Sequence, residues 1–298
     1  MKGFGKYIMT AVKGACMGAA DVIPGVSGGT IAFIMGIYDD FVSSLASING
    51  EAVRLLLKGQ FKAFWKHING GFLLSLVIGI GISVIALAGL MQTLLSDFPI
   101  QTWAFFFGLI VASSAFIIRG ISGWKLREGV LLLLGMILGV TICTLSPTQT
   151  PDGLWFIFLS GAIAICAMVL PGISGSFILL ILGKYQYIMG VISDLVSGVD
   201  FGRNLLILGV FAIGAIVGIL GFSKFLHWLL ARWNKETLIV LAGFIIGSLV
   251  KVWPWSNPEA LAQADAAGSM LYGSAALFAL IGLSLVTGIE LIGKRLRK

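Results

Sequence analysis

Pro24-Gly25-Val26-Ser27-Gly28 and Pro171-Gly172-Ile173-Ser174-Gly175 repeat one five-residue pattern, Pro-Gly-x-Ser-Gly, each inside a long apolar stretch. Around them the match continues at a constant offset: Ala20 with Ala167, Val22 with Val169, Ile31 with Ile178, Ile34 with Ile181, Gly36 with Gly183 and Tyr38 with Tyr185. The chain therefore carries an internal duplication. Proline lacks a backbone donor and disfavours helix in the residue before it, so each string ends one helix and lets another begin. Paired, interrupted hydrophobic segments at corresponding points of two halves mark the binding site of secondary transporters.

Composition sets the surroundings. Of 298 residues, 58% are hydrophobic and 11% charged, and the mean hydropathy is +1.03. Such a chain belongs in a bilayer. Apolar runs of about the 20 residues needed to span lie near 71–92, 100–118, 129–146, 204–223, 237–253 and 271–289. The net charge of +7 is placed in short connections, where it sets orientation; nucleic acid is not an expected partner. Cys16, Cys143 and Cys166 have neither disulfide nor metal spacing and read as small packing residues. The segment 1–20 has basic residues followed by small and apolar ones, but Lys13 interrupts it and its motif recurs deep in the chain, so it reads as mature structure.

Basic residues concentrate at the N-terminus (Lys2, Lys6), in 51–67, 119–128 and 224–236, and at the C-terminus. These connections are expected to be cytoplasmic. The others carry Asp97, Asp152, Asp194, Asp200, Glu259 and Asp265 and face outward. The alternation holds if 8–48 and 153–196 are hairpins that each leave and return on one side. Charge alone leaves re-entrant and fully crossing hairpins both open, the latter a ten-span bundle. From Ile8 to Val22 the first arm rises roughly 22 Å at about 1.5 Å per residue, short of a core of about 30 Å, which favours re-entry. The expected fold is an all-α polytopic membrane protein of two inverted repeats, residues 1–147 and 148–298, each a broken helical hairpin plus three transmembrane helices. A second correspondence, Thr102 with Thr237, Gly108 with Gly243 and Ser113 with Ser248, has an offset shorter by twelve residues. An amphipathic insertion at 49–70 accounts for it, read either as a surface segment touching anionic lipid or as a plain connecting helix.

The broken segments suggest a chemistry. Ser27 and Ser174 are placed to cap the helices that follow, leaving backbone N–H groups at a positive helix end, where phosphate or carboxylate binds. Two such ends converging from inverted halves supply donors without burying a Lys or Arg. The competing reading is that Pro-Gly-x-Ser-Gly simply lets helices cross closely. Asp21, whose counterpart is Met168, is either a carrier of a coupling proton or ion or an acceptor for the loop backbone. Arg119 and Lys184 are the side-chain candidates to assist an anion, with interfacial snorkelling as their other reading. Nothing resembles a catalytic triad, a zinc site or a P-loop; no catalytic residue, metal or cofactor is expected.

The runs Asp21-Val22-Ile23-Pro24-Gly25-Val26-Ser27-Gly28-Gly29-Thr30 with Gly36-Ile37-Tyr38, and Leu170-Pro171-Gly172-Ile173-Ser174-Gly175-Ser176 with Gly183-Lys184-Tyr185, resemble those of the bacterial polyprenyl-phosphate transporters (PopT type), long catalogued as a polytopic membrane family of unknown function. The likeness covers nearly the whole chain. It implies translocation of undecaprenyl phosphate, the lipid carrier of cell-wall precursors, from the outer to the inner leaflet of the cytoplasmic membrane. On that resemblance, Gly25, Val26, Ser27, Gly28, Gly172, Ile173, Ser174 and Gly175 are expected to cradle the phosphate, with Arg119 compensating charge and Asp21 coupling protons or cations. The prenyl chain would stay in lipid. The alternative is a secondary transporter or channel for a small soluble anion, which would use the same helix-end chemistry.

Overall fold

The computed structural model describes residues 2–21, 27–146 and 150–296. Their regular elements are fifteen α-helices: α1 (Lys2–Asp21), α2 (Gly28–Ile34), α3 (Tyr38–Ala46), α4 (Gly50–Leu57), α5 (Phe61–His67), α6 (Gly70–Asp97), α7 (Pro99–Gly120), α8 (Leu126–Cys143), α9 (Leu154–Val169), α10 (Gly175–Ile181), α11 (Tyr185–Val196), α12 (Phe201–Arg232), α13 (Asn234–Ser248), α14 (Pro258–Ala266) and α15 (Tyr272–Leu296). Among the described residues four stretches are long and apolar enough to cross a membrane: Gly70–Leu87 within α6, α7, α8 and α12. The bent pair α10 and α11, at 107° to one another, passes the same criteria as one broken span. The protein is a multi-pass membrane protein.

Two expected boundaries moved. The run 237–253 is helical only to Ser248, where the chain turns, with Lys251 N–H donating to Ser248 O and Val252 N–H to Leu249 O, and Pro254 then keeps the helix from resuming. The 15 residues of α13 rise about 22 Å. The first arm, conversely, is longer than its apolar run: α1 has 20 residues, about 30 Å of helix. Its supposed shortness therefore gives no support to re-entry. The 49–70 insertion folds as two short helices, α4 and α5, separated by Gly59 in the left-handed region (φ 68°), with Leu57, Phe61 and Trp65 exposed.

The chain forms two compact units, Met1–Val84 with Leu145–Trp233, and Ile85–Thr144 with Asn234–Lys298. Each draws on both halves of the duplication. In the first, Gly14 of α1 lies against the backbone of Leu76 in α6, and Gly161 of α9 lies against Phe211 in α12; reciprocally, Gly79 faces Ala11 and Gly214 faces Phe158. In the second, Gly108 of α7 faces Ala279 of α15 while Gly243 of α13 faces Leu132 of α8, and Gly282 faces Phe105 while Gly135 faces Val240. Every one of these pairs maps onto its counterpart through the two offsets seen in the sequence. The duplication thus extends to packing register, and small residues bring the helix backbones into direct contact.

Candidate functional site

Both copies of the motif open the same local structure. Ser27 and Ser174 are N-caps in extended conformation: Ser27 Oγ accepts from Gly29 N–H at 3.1 Å and Ser174 Oγ from Phe177 N–H at 3.2 Å. Each then leads into a helix of 7 residues. Both short helices end alike, at Gly36 (φ 65°) and Gly183 (φ 63°). In the first, Ile37 N–H donates to Ala32 O and Gly36 N–H to Phe33 O; in the second, Lys184 N–H donates to Leu179 O and Gly183 N–H to Leu180 O. This paired pattern is the Schellman stop, which needs a left-handed residue and hence glycine. Leu170 is extended before Pro171 (ψ 131°), as the proline ring demands.

The structure brings the two copies together inside the first unit. Ser27 Oγ donates to Leu170 O at 3.2 Å, and Gly172 N–H donates to Thr30 Oγ1 at 2.7 Å. Gly29 has no room for a side chain, since a Cβ there would stand 2.8 Å from Val169 O. Ser27, Thr30, Ile173 and Ser174 are buried. Asp21 closes the first copy: its Oδ1 accepts from Gly28 N–H at 2.7 Å. Pro24, Gly25 and Val26 lie outside the described residues. Gly172 is left-handed (φ 96°), and Gly175 approaches Ala164 O so closely that a Cβ would stand 2.8 Å away.

Two features alter the chemistry expected from sequence. Helices of 7 residues sum few peptide dipoles, so the macrodipole contributes little and anion recognition falls to individual amides and hydroxyls. Several of those are engaged: Gly28 N–H by Asp21, Gly29 N–H by Ser27 and Gly172 N–H by Thr30. Asp21 itself places a carboxylate on the first motif's amide, where a phosphate oxygen was expected.

The far ends of the short helices are held by side chains that sequence reasoning passed over. Lys13 Nζ donates to Met35 O at 2.9 Å; at the equivalent carbonyl, Thr150 Oγ1 donates to Leu182 O at 2.5 Å. Terminal carbonyls lack intrahelical partners, and their donors here lie 22 and 32 residues away in sequence, so no local signal announced them. Lys184 does not snorkel. It is 1% exposed, ion-paired with Asp152, bonded to Thr150 O at 3.0 Å, and lies 5.6 Å from the Phe156 ring centre and 5.3 Å from that of Tyr187, within cation–π range. Its charge is spent locally. Arg119 is exposed in the last turn of α7, in the second unit. That unit carries its own polar knot, in which Lys235 Nζ reaches Gly123 O at 2.8 Å and Glu128 at 3.0 Å, and Arg127 pairs with Glu236 at 3.3 Å.

Comparison with known proteins places the chain among its relatives. Residues 17–270 match the VCA0040-like family, described as undecaprenyl phosphate translocase-like. A polyprenyl-phosphate transporter of Vibrio cholerae serotype O1 is 44% identical over 251 residues, 84% of this chain and 79% of the relative. A polyprenyl-phosphate transporter of Staphylococcus aureus is 32% identical over 256 residues, 82% of this chain and 85% of the relative. No solved structure gives a significant match.

Proposed function

The chain belongs to the undecaprenyl phosphate translocase-like family, and from that membership we propose that it carries undecaprenyl phosphate across the cytoplasmic membrane, from the outer to the inner leaflet, returning the envelope lipid carrier for reuse. The observation that carries the reading at residue level is the meeting of the two Pro-Gly-x-Ser-Gly segments, through Ser27 with Leu170 and Thr30 with Gly172. In this reading the headgroup is held by Gly25, Val26, Ser27, Gly28, Gly172, Ile173, Ser174 and Gly175. Phosphate takes the place of the Asp21 carboxylate at Gly28 N–H, and protonation of Asp21 favours the exchange by removing a competing anion. Arg119, on the second unit, is proposed as compensating charge near the cytoplasmic surface.

Two inverted halves suit this transport, because a lipid headgroup must meet an equivalent site from either leaflet. Two contacts within the first unit support inversion. Ser43, in α3 beyond the first short helix, lies 3.2 Å from His227 near the end of α12, among basic residues whose charge assigns them to the cytoplasm. Lys184, just past the second, pairs with Asp152, in a connection assigned to the outside. Re-entry of the hairpins is kept as part of the proposal, supported by the 107° bend of α10 against α11 and by α9, whose 16 residues rise about 24 Å.

Purified protein in liposomes, given a fluorescent undecaprenyl phosphate analogue with and without a proton gradient, tests the reading. Protein-dependent movement between leaflets is expected. Folded protein that leaves the lipid in place but admits inorganic phosphate would assign it to soluble anions.

A further inference from the structure

The second unit contains a cavity of about 460 Å³ between α7, α15 and the end of α6. Along α7 and the Phe98 that precedes it, the cavity is lined by Phe98, Gln101, Thr102 and Phe105, one face at helical spacing, with Phe106 beside them. From the other helices come Leu94, Phe278 and Ile281. This volume is in the range of small-molecule sites, roughly 300–1,000 Å³.

Its two polar side chains are committed elsewhere. Thr102 Oγ1 donates to Leu94 O and Phe98 O at 3.0 and 2.8 Å. The Gln101 amide donates to Ser274 Oγ at 3.4 Å and accepts from Gln263 Nε2 at 3.1 Å. What remains toward the cavity is aromatic and aliphatic surface, which offers nothing to a headgroup or to water. At one side Phe98 and Ile281 are exposed, where a chain lying in lipid has access. At the other, Gly282 against Phe105 and Gly108 against Ala279 clamp α7 to α15 backbone to backbone, so the opening does not close by simple sliding of the pair.

The duplicated half has no such lining. By the two offsets Phe105 and Phe106 correspond to Val240 and Leu241, Phe278 to Leu131, and Gln101 to Glu236; Glu236 is bound to Arg127. One end of the unit is thus aromatic and apolar, and the equivalent end is tied by ion pairs. The aromatic end begins beside Asp97, on the side the charge distribution assigns to the outside.

We infer that this cavity holds an isoprenoid segment of the lipid's tail at the outer leaflet, so that the protein reads chain chemistry as well as the phosphate. The inference rests on the polyprenyl-phosphate reading of the function. Branched, unsaturated isoprene units present methyl groups and alkene faces to the phenylalanine rings, a closer match than a straight saturated acyl chain. It departs from the expectation that the tail stays wholly in bulk lipid.

The test uses wild-type protein in liposomes with two photoreactive probes, a polyprenyl phosphate bearing a diazirine in its tail and a phosphatidylglycerol bearing one in an acyl chain. Labelled residues are mapped by mass spectrometry, and translocation of the polyprenyl probe is followed separately. Labelling of α7 and α15 at the cavity by the polyprenyl probe, competed by unlabelled polyprenyl phosphate and not by phosphatidylglycerol, is the expected result. Filling the space with Ile281→Trp should weaken that labelling roughly tenfold, the affinity equivalent of losing burial of one large apolar group. Equal labelling by both probes, or polyprenyl labelling confined to other helices while translocation proceeds, overturns the inference and leaves the proposed function standing. Absence of translocation by folded protein overturns the proposed function itself, whichever residues are labelled.

Discussion

The two broken hairpins share a backbone and divide the polar work unequally. The first supplies Asp21, Ser27 and Thr30, of which Ser27 and Thr30 reach across to the second copy, while Asp21 turns back on its own loop. The second offers Met168, Ser174 and Phe177 at those positions; among the described residues its Ser174 bonds within its own copy, to Phe177 N–H and Ser176 Oγ. The difference between Gly29 and Ser176 has the same origin. Gly29 sits where a carbonyl of α9 leaves no room for a Cβ, whereas Ser176 has space for a hydroxyl that meets Ser174. A duplicated motif whose copies touch cannot keep both surfaces alike: one copy inserts and the other receives.

Substitutions that exchange the copies' residues sharpen this contrast. The largest effect is expected for Gly29→Val, whose side chain would overlap Val169 O, against a near-neutral Ser176→Ala. Overpacking costs of about 1–3 kcal/mol or more should appear as loss of monodisperse protein, or a large fall in Tm, in the first variant alone. Next comes the buried ion pair. Asp152→Ala strands the Lys184 charge among Phe156 and Tyr187 and should cost about 2–3 kcal/mol, while Lys184→Met leaves an Asp152 that is 68% exposed and should cost about 1 kcal/mol. Thermal unfolding in detergent that ranks them the other way would break the assignment of Lys184 as the desolvated partner. Thr30→Val leaves the buried Gly172 N–H without its acceptor and should cost about 1–3 kcal/mol, read as a fall in Tm. The smallest stability effects belong to the caps: Ser27→Ala and Ser174→Ala should each cost about 1 kcal/mol, with Ser27 the larger because it also donates to Leu170 O.

Much of this architecture was legible because it rests on local chemistry. Prolines announced both breaks and the serines their caps, and the two offsets marked the duplication that the glycine contacts of α1 with α6 and of α9 with α12 then repeat in register. What escaped was what depends on partners far away in the chain. Thr30 and Gly172 are 142 residues apart, so no window reveals their bond. Lys184 read as a surface cation because its acceptor, Asp152, was assigned to a separate connection. The end of α13 was hidden by Leu249, Val250, Val252 and Trp253, whose hydropathy continues where the helix does not. The aromatic cavity left no motif, since its phenylalanines are ordinary members of apolar helices until α7 and α15 are seen side by side.

Asp21 bears most directly on how the unequal copies act in transport. Asp21→Asn retains an oxygen to accept from Gly28 N–H but cannot carry a proton. It is expected to keep the fold and lose the response of lipid translocation to a proton gradient, as measured in liposomes. An undiminished response would remove Asp21 from the coupling.

The most direct test of the central claim, that the two serines of the repeated motif form part of one phosphate site, is leaflet exchange of fluorescent undecaprenyl phosphate by the Ser27→Ala/Ser174→Ala protein, beside wild type and each single variant, all shown to be folded by Tm. The account predicts that the double variant loses most of the exchange and that each single variant retains part. Exchange at the wild-type rate in the double variant would contradict it.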